Sequence, residues 1–179
     1  DNAAQNAAYG FQALDAITTG DNNTAVGFKA GSAVTSGGNN VVIGVEAADS
    51  LLTGANNVAI GKGAMTTADG SESQNVAIGV NALEDMNEDG NNKNVAVGYR
   101  AAANLSTGAH NTAIGNEAMG TGIVTGDYNT ALGHLSSEDL TSGLQNTTLG
   151  AFTLMNGLSA AQNVAVGYGA MSNADGGES

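Results

Sequence analysis

A five-residue unit recurs ten times along the chain: Asn, a small or β-branched residue, usually Ala, a β-branched or aliphatic residue, then Gly. The units open at Asn6, Asn23, Asn40, Asn57, Asn75, Asn94, Asn111, Asn129, Asn146 and Asn163. They close at Gly10, Gly27, Gly44, Gly61, Gly79, Gly98, Gly115, Gly133, Gly150 and Gly167. Successive openings lie 17, 17, 17, 18, 19, 17, 18, 17 and 17 residues apart. So short a period excludes paired-helix repeats, which need roughly 33–47 residues. No 3.6-residue periodicity persists, and Gly interrupts every unit. The chain is therefore expected to be all-β: a parallel β-solenoid of about ten coils of 17–19 residues, each burying its face only by stacking on the next. At a strand spacing of about 4.8 Å the rod is roughly 45–50 Å long.

Each column of the repeat has a physical reading. Within the unit, β-branched residues such as Thr24 and Val26 or Val58 and Ile60 alternate with Ala25 and Gly27 or Ala59 and Gly61, as in a short strand. The Ala column, broken only by Val42 and Thr148, is small enough to demand a close neighbour, either the opposite wall of the coil or another chain. The Gly column fits a bend with positive φ or a close backbone approach. Stacked Asn side chains can hydrogen-bond from coil to coil. Together the twenty Asn and Gly residues form the expected structural ladder. A small residue follows three places after each Gly: Ala in eight coils, Ser136 and Thr153 in the others. Six residues before the next Asn, six of nine links carry an apolar residue: Ile17, Val34, Leu51, Leu105, Ile123 and Leu140. Links 58–75, 76–94 and 147–163 break that column and are expected to be looser.

Composition narrows the function. Four Lys+Arg face 17 Asp+Glu, a net charge of −13. A phosphate-binding surface needs the opposite balance, so neither nucleic acid nor an anionic membrane is an expected partner. Without Cys, disulfides, thiolate catalysis and Cys-ligated zinc are excluded. No apolar run approaches the roughly 18–20 residues of a membrane span. A thin coil with three Phe, four Tyr and no Trp has little apolar bulk. Association of several chains along the rod, as a homotrimer, is expected to bury the small-residue face.

Asn23-Thr24-Ala25-Val26-Gly27-Phe28-Lys29-Ala30 and Asn94-Val95-Ala96-Val97-Gly98-Tyr99-Arg100-Ala101 resemble the head repeats of YadA-type trimeric autotransporter adhesins. With the Thr-Gly or Ser-Gly that precedes many of the Asn residues, the longer unit is even more similar to repeats of phage tail fibres. The resemblance extends from Asn6 to Met171. It implies a left-handed β-roll, a homotrimer, and a virion, extracellular or cell-surface location. The array starts and stops in mid-repeat, so residues 1–179 are expected to be one solenoid array within a longer fibre protein.

Candidate chemistry is sparse. Asp85-Met86-Asn87-Glu88-Asp89-Gly90 matches the first half of a calcium loop, with Asp85, Asn87 and Asp89 as ligands. The twelfth position is Ala96 rather than Glu, so the ordinary reading is an acidic turn. His110 and His134 occupy different columns and are expected at the surface, the sharper alternative being an ion on a three-fold axis. No column repeats a carboxylate and a uniform rod has no deep pocket, so an enzyme is not expected. The expected function is a structural and adhesive segment of a trimeric surface fibre, either a tail-fibre-like shaft or a receptor-binding head that contacts a cell-surface receptor or glycan. The alternatives are a bacterial adhesin head and a self-assembling extracellular filament. Ice binding is disfavoured because the outward columns mix Val with Thr.

Overall fold

A computed structural model describes residues 3–68, 70–86 and 92–174. Ten three-residue strands run in sequence: β1 Ala7–Tyr9, β2 Thr24–Val26, β3 Val41–Ile43, β4 Val58–Ile60, β5 Val76–Ile78, β6 Val95–Val97, β7 Thr112–Ile114, β8 Thr130–Leu132, β9 Thr147–Leu149 and β10 Val164–Val166. They form one parallel sheet in the order β1 to β10, each strand paired with its sequence neighbours. Register is strict. Asn+1 stands on Asn+1, and Ala on Ala, as in Val76↔Val95 and Ala77↔Ala96. The chain is a β-solenoid, and no helix occurs among its described residues.

The corners explain why the coil closes. Three columns hold the left-handed region in all ten coils: the residue before Asn, and the second and fourth after Gly. In coil three these are Asn39 (φ 60°), Glu46 (55°) and Ala48 (44°). Leu, Met, Phe and Arg occupy such positions elsewhere, where an L-residue costs about 1–2 kcal/mol. Inter-coil backbone bonds offset that strain. Glu46 N–H donates back to Phe28 O at 2.8 Å, and Ala48 N–H donates forward to Ala64 O at 2.8 Å. The motif Gly takes φ between +116° and +145° in every coil. A Cβ on Gly79 would lie 2.2 Å from Gly98 O. Both conformation and space therefore require Gly there.

The core is a narrow channel of small residues. The Ala column faces inward and is fully buried from Ala25 to Ala131 within this single chain. The small-residue face expected to be covered by other chains is thus covered by the opposite wall of its own coil. The β-branched strand columns point outward. Val26, Ile43 and Ile78 are 37–38% exposed.

The fourth and seventh residues after Gly share the remaining interior. Where the fourth is small the seventh is bulky, as in Gly31/Val34, Ala48/Leu51 and Ala102/Leu105. In Met65/Ala68 and Leu154/Gly157 the fourth is bulky and the seventh small, whereas the fifth coil buries two bulky residues, Leu83 and Met86. A Cβ on Gly157 would meet Leu154 Cγ at 2.7 Å, so the two positions compete for one volume.

This pairing corrects the link column. Ala68 and Met86 are buried in the seats that links 58–75 and 76–94 were expected to lack. Counting back from Asn missed them because the extra residues of these coils follow that seat. Ile123 is another correction: it is 64% exposed, and Val124 turns inward to bridge Leu105. Val124 lies nine residues after its Gly and five before the next Asn, where Leu105 lies seven after and six before, so the inward position moves by one when counted from Asn.

Candidate functional site

The Asn ladder is continuous over all nine inter-coil steps. Each Asn N–H donates to Oδ1 of the previous Asn, at 2.8 Å for Asn23 to Asn6 and 3.1 Å for Asn163 to Asn146. The steps between them run from 2.8 to 3.0 Å. The same amide's Nδ2 usually donates to a carbonyl that closes its own coil, such as Gly37 for Asn23 and Gly126 for Asn111. Asn23 through Asn146 are all at most 1% exposed. One buried side chain thus satisfies two backbone groups, one between coils and one within the coil. This is a structural role with no chemistry to offer a ligand.

A second buried polar group breaks the apolar columns. Ser136 Oγ lies 2.8 Å from Thr148 Oγ1 and 2.7 Å from Thr153 Oγ1, and Ser137 Oγ lies 2.9 Å from Thr148 Oγ1. Thr148 donates on to Thr130 O, and Thr153 to Gly150 O. The sequence shows three of these residues as separate exceptions to Ala columns. What it does not show is that coils eight and nine bring all four hydroxyls together.

Of the candidate calcium ligands, only Asp85 lies within the described residues. Asn87 and Asp89 lie outside them. Asp85 Oδ1 accepts from Thr67 Oγ1 at 2.6 Å. Asp85, Asn104, Ser106 and Ile123 line a shallow groove of about 250 Å³. Among the described residues no three His, Asp or Glu converge as a metal site. His110 stacks on Tyr128 of the next coil with centroids 4.9 Å apart, and His134 meets the edge of Phe152 at 5.3 Å. Each His is thus paired with a ring of the following coil.

Two carboxylates have raised pKa values. Partial burial and nearby Glu46 raise Asp49; partial burial, Asp139 and Glu117 raise Glu138. Both crowd like charges along the linking wall.

The surface that stands apart is the outward face of the sheet. The first and third residues after Asn and the first after Gly alternate outward along each coil, as in Thr24, Val26 and Phe28. Val45, Val80 and Tyr99 extend the third column with 43–48% exposure, and Leu132 and Leu149 the second with 40% and 45%. Phe28 stacks on Phe11 at 5.7 Å, and Lys29 Nζ rests 5.6 Å from the Phe28 ring centroid. The exposed left-handed residues before each Asn flank one side: Gln5, Asn22, Asn39, Asn56, Gln74, Lys93, His110, Tyr128, Gln145 and Gln162. An apolar strip with a polar rim is the form of a protein interface rather than of a catalytic cleft.

No protein-family model matches the chain, and no curated protein or solved structure matches it either.

Proposed function

We propose that this chain is a structural and adhesive rod of a surface fibre, of the tail-fibre-like kind, that works through contacts along its side. The observation that carries the reading is the separation of roles between columns. Asn, Ala and Gly hold the coil from inside, and the outward columns vary freely in size and polarity without disturbing it. Such a design supports a stiff spacer whose surface can be changed at will. The apolar outward strip favours association with further copies of the chain, and the rim and links remain available to a receptor or glycan.

Immunogold labelling of intact source cells or particles with antibody against the repeat tests this reading. Label on projecting fibres, together with inhibition of attachment by the soluble chain, is the expected outcome. Internal label, or attachment unaffected by excess soluble chain, would contradict it.

A further inference from the structure

We propose that the outward sheet face is the contact surface between two copies of this chain whose rod axes run antiparallel, about a two-fold axis lying along the strand direction between the fourth and fifth coils.

Charge placement carries the argument. Across the face and its two borders, from the residue before Asn to the second residue after Gly, six charged residues occur: Lys29, Glu46, Lys62, Lys93, Arg100 and Glu117. These include all four Lys+Arg of the chain but only two of its 17 Asp+Glu. This strip is therefore mildly positive on a chain of net charge −13. Two copies can meet here, and only here, without opposing their acidic walls.

Order within one column then selects the arrangement. The second residue after Gly is Lys29 in coil two, Glu46 in coil three, Arg100 in coil six and Glu117 in coil seven. A two-fold axis along the strands lays each column on itself with coil order reversed. With the axis between coils four and five, coil two meets seven and coil three meets six. Lys29 then faces Glu117 of the second copy, and Glu46 faces Arg100, each pair occurring twice. The same operation sets Val26 against Ile114, Ile43 against Val97 and Ile60 against Ile78. No like charges meet. In a parallel arrangement, two-fold or three-fold, this border meets the opposite border at the same coil. Arg100 then meets Lys93 of the neighbour, a repulsive contact between desolvating cations. The homotrimer expected from composition carries that penalty.

Eight overlapping coils of about 4.8 Å rise and a face about 20 Å wide bring together roughly 750 Å² per copy, near the 800 Å² of a standard specific interface. Polar residues frame the apolar centre, as a stable interface requires. Antiparallel rods are what two opposed surfaces would present to each other. That consequence, homophilic adhesion, rests on the fibre reading; the dimer itself does not, so surface labelling can fail while the dimer stands.

Sedimentation equilibrium of the chain should give twice its 17.5 kDa mass. Lys29→Glu alone and Glu117→Lys alone should each weaken dimerisation about tenfold or more, and the double exchange should restore it. Orientation is read separately, because the chain has no Cys. Val26→Cys and Ile114→Cys are made as separate single variants and treated with a bis-maleimide spanning about 10 Å, the distance between facing sheets. Linked dimers should form when the two variants are mixed and not with either alone. A monomer at all concentrations, a trimeric mass, or Val26→Cys linking to itself would overturn the proposal, and circular dichroism of each variant shows that the coil stack is intact.

Discussion

Asn94 N–H donates to Asn75 Oδ1 at 2.9 Å although 19 residues separate them, the longest coil in the chain. The bond is as short as those across 17-residue coils such as Asn111 to Asn94, at 2.8 Å. Added residues are absorbed in the links, and the ladder keeps its rise. The ladder, rather than link length, sets the geometry.

Asn111→Ala should therefore be costly. It removes the acceptor for Asn129 N–H, at 2.8 Å, and the donor to Gly126 O, at 2.9 Å, both in the interior. At about 1–3 kcal/mol for each buried group left unpaired, a loss of roughly 2–5 kcal/mol is expected in urea denaturation. Asn111→Asp keeps the acceptor but not the donor and should also be destabilising at neutral pH.

Motif glycines should differ by position. Gly79→Ala brings a Cβ to 2.2 Å from Gly98 O at φ +139° and should cost more than about 4 kcal/mol or prevent folding. Gly167→Ala has nothing within 4 Å and bears only the penalty of its φ of +116°. Thermal melts of the two variants should therefore separate widely; equal losses would mean that space plays no part.

Exposed left-handed corners allow the reverse change. Gln74 is exposed with φ 64°. Gln74→Gly relieves about 1–2 kcal/mol of strain and gives back about 0.5–1 kcal/mol in chain entropy, so stability should rise by up to about 1 kcal/mol. Gln74→Val should lower it.

The pH dependence follows from Glu138. Its folded pKa is raised above 4.5 by burial and neighbouring carboxylates. The folded state thus binds this proton more readily than the unfolded chain. The stabilisation is present below the unfolded value and is lost as pH rises through the folded one. Glu138→Gln should raise the melting temperature at neutral pH, and the gain should vanish below about pH 4.

Much of this fold was legible in the sequence because its repeat is tied to backbone geometry. A column of ten Gly with one spacing can be read without coordinates. Which face turns inward could not be read so simply. The small Ala column, Ala59 among it, fits either the opposite wall of its own coil or another chain, and only its burial within one chain decides for the wall. The reason is the narrowness of the coil: backbone walls this close leave room mainly for Ala in the strand, and the bulkier core residues, such as Leu51 or Leu83 and Met86, sit in the segment after Gly. The Met65/Ala68 exchange of volume depends on neighbours in space and leaves only a faint sequence signal, visible when counted forward from Gly. The charge pattern behind the proposed dimer was in the sequence throughout. It gained meaning only once Lys29, Glu46, Arg100 and Glu117 were seen to share one column.

The coils stack as a rod with one rise per repeat, and a distance measured along it reads that rise. Ser32 and Met155 hold the same column in coils two and nine, seven steps apart. Spin labels on Ser32→Cys and Met155→Cys, in chains diluted with unlabelled protein, should give one narrow distance of about 34 Å by pulsed electron resonance. A broad distribution, or a separation well short of that, would contradict the stacked rod.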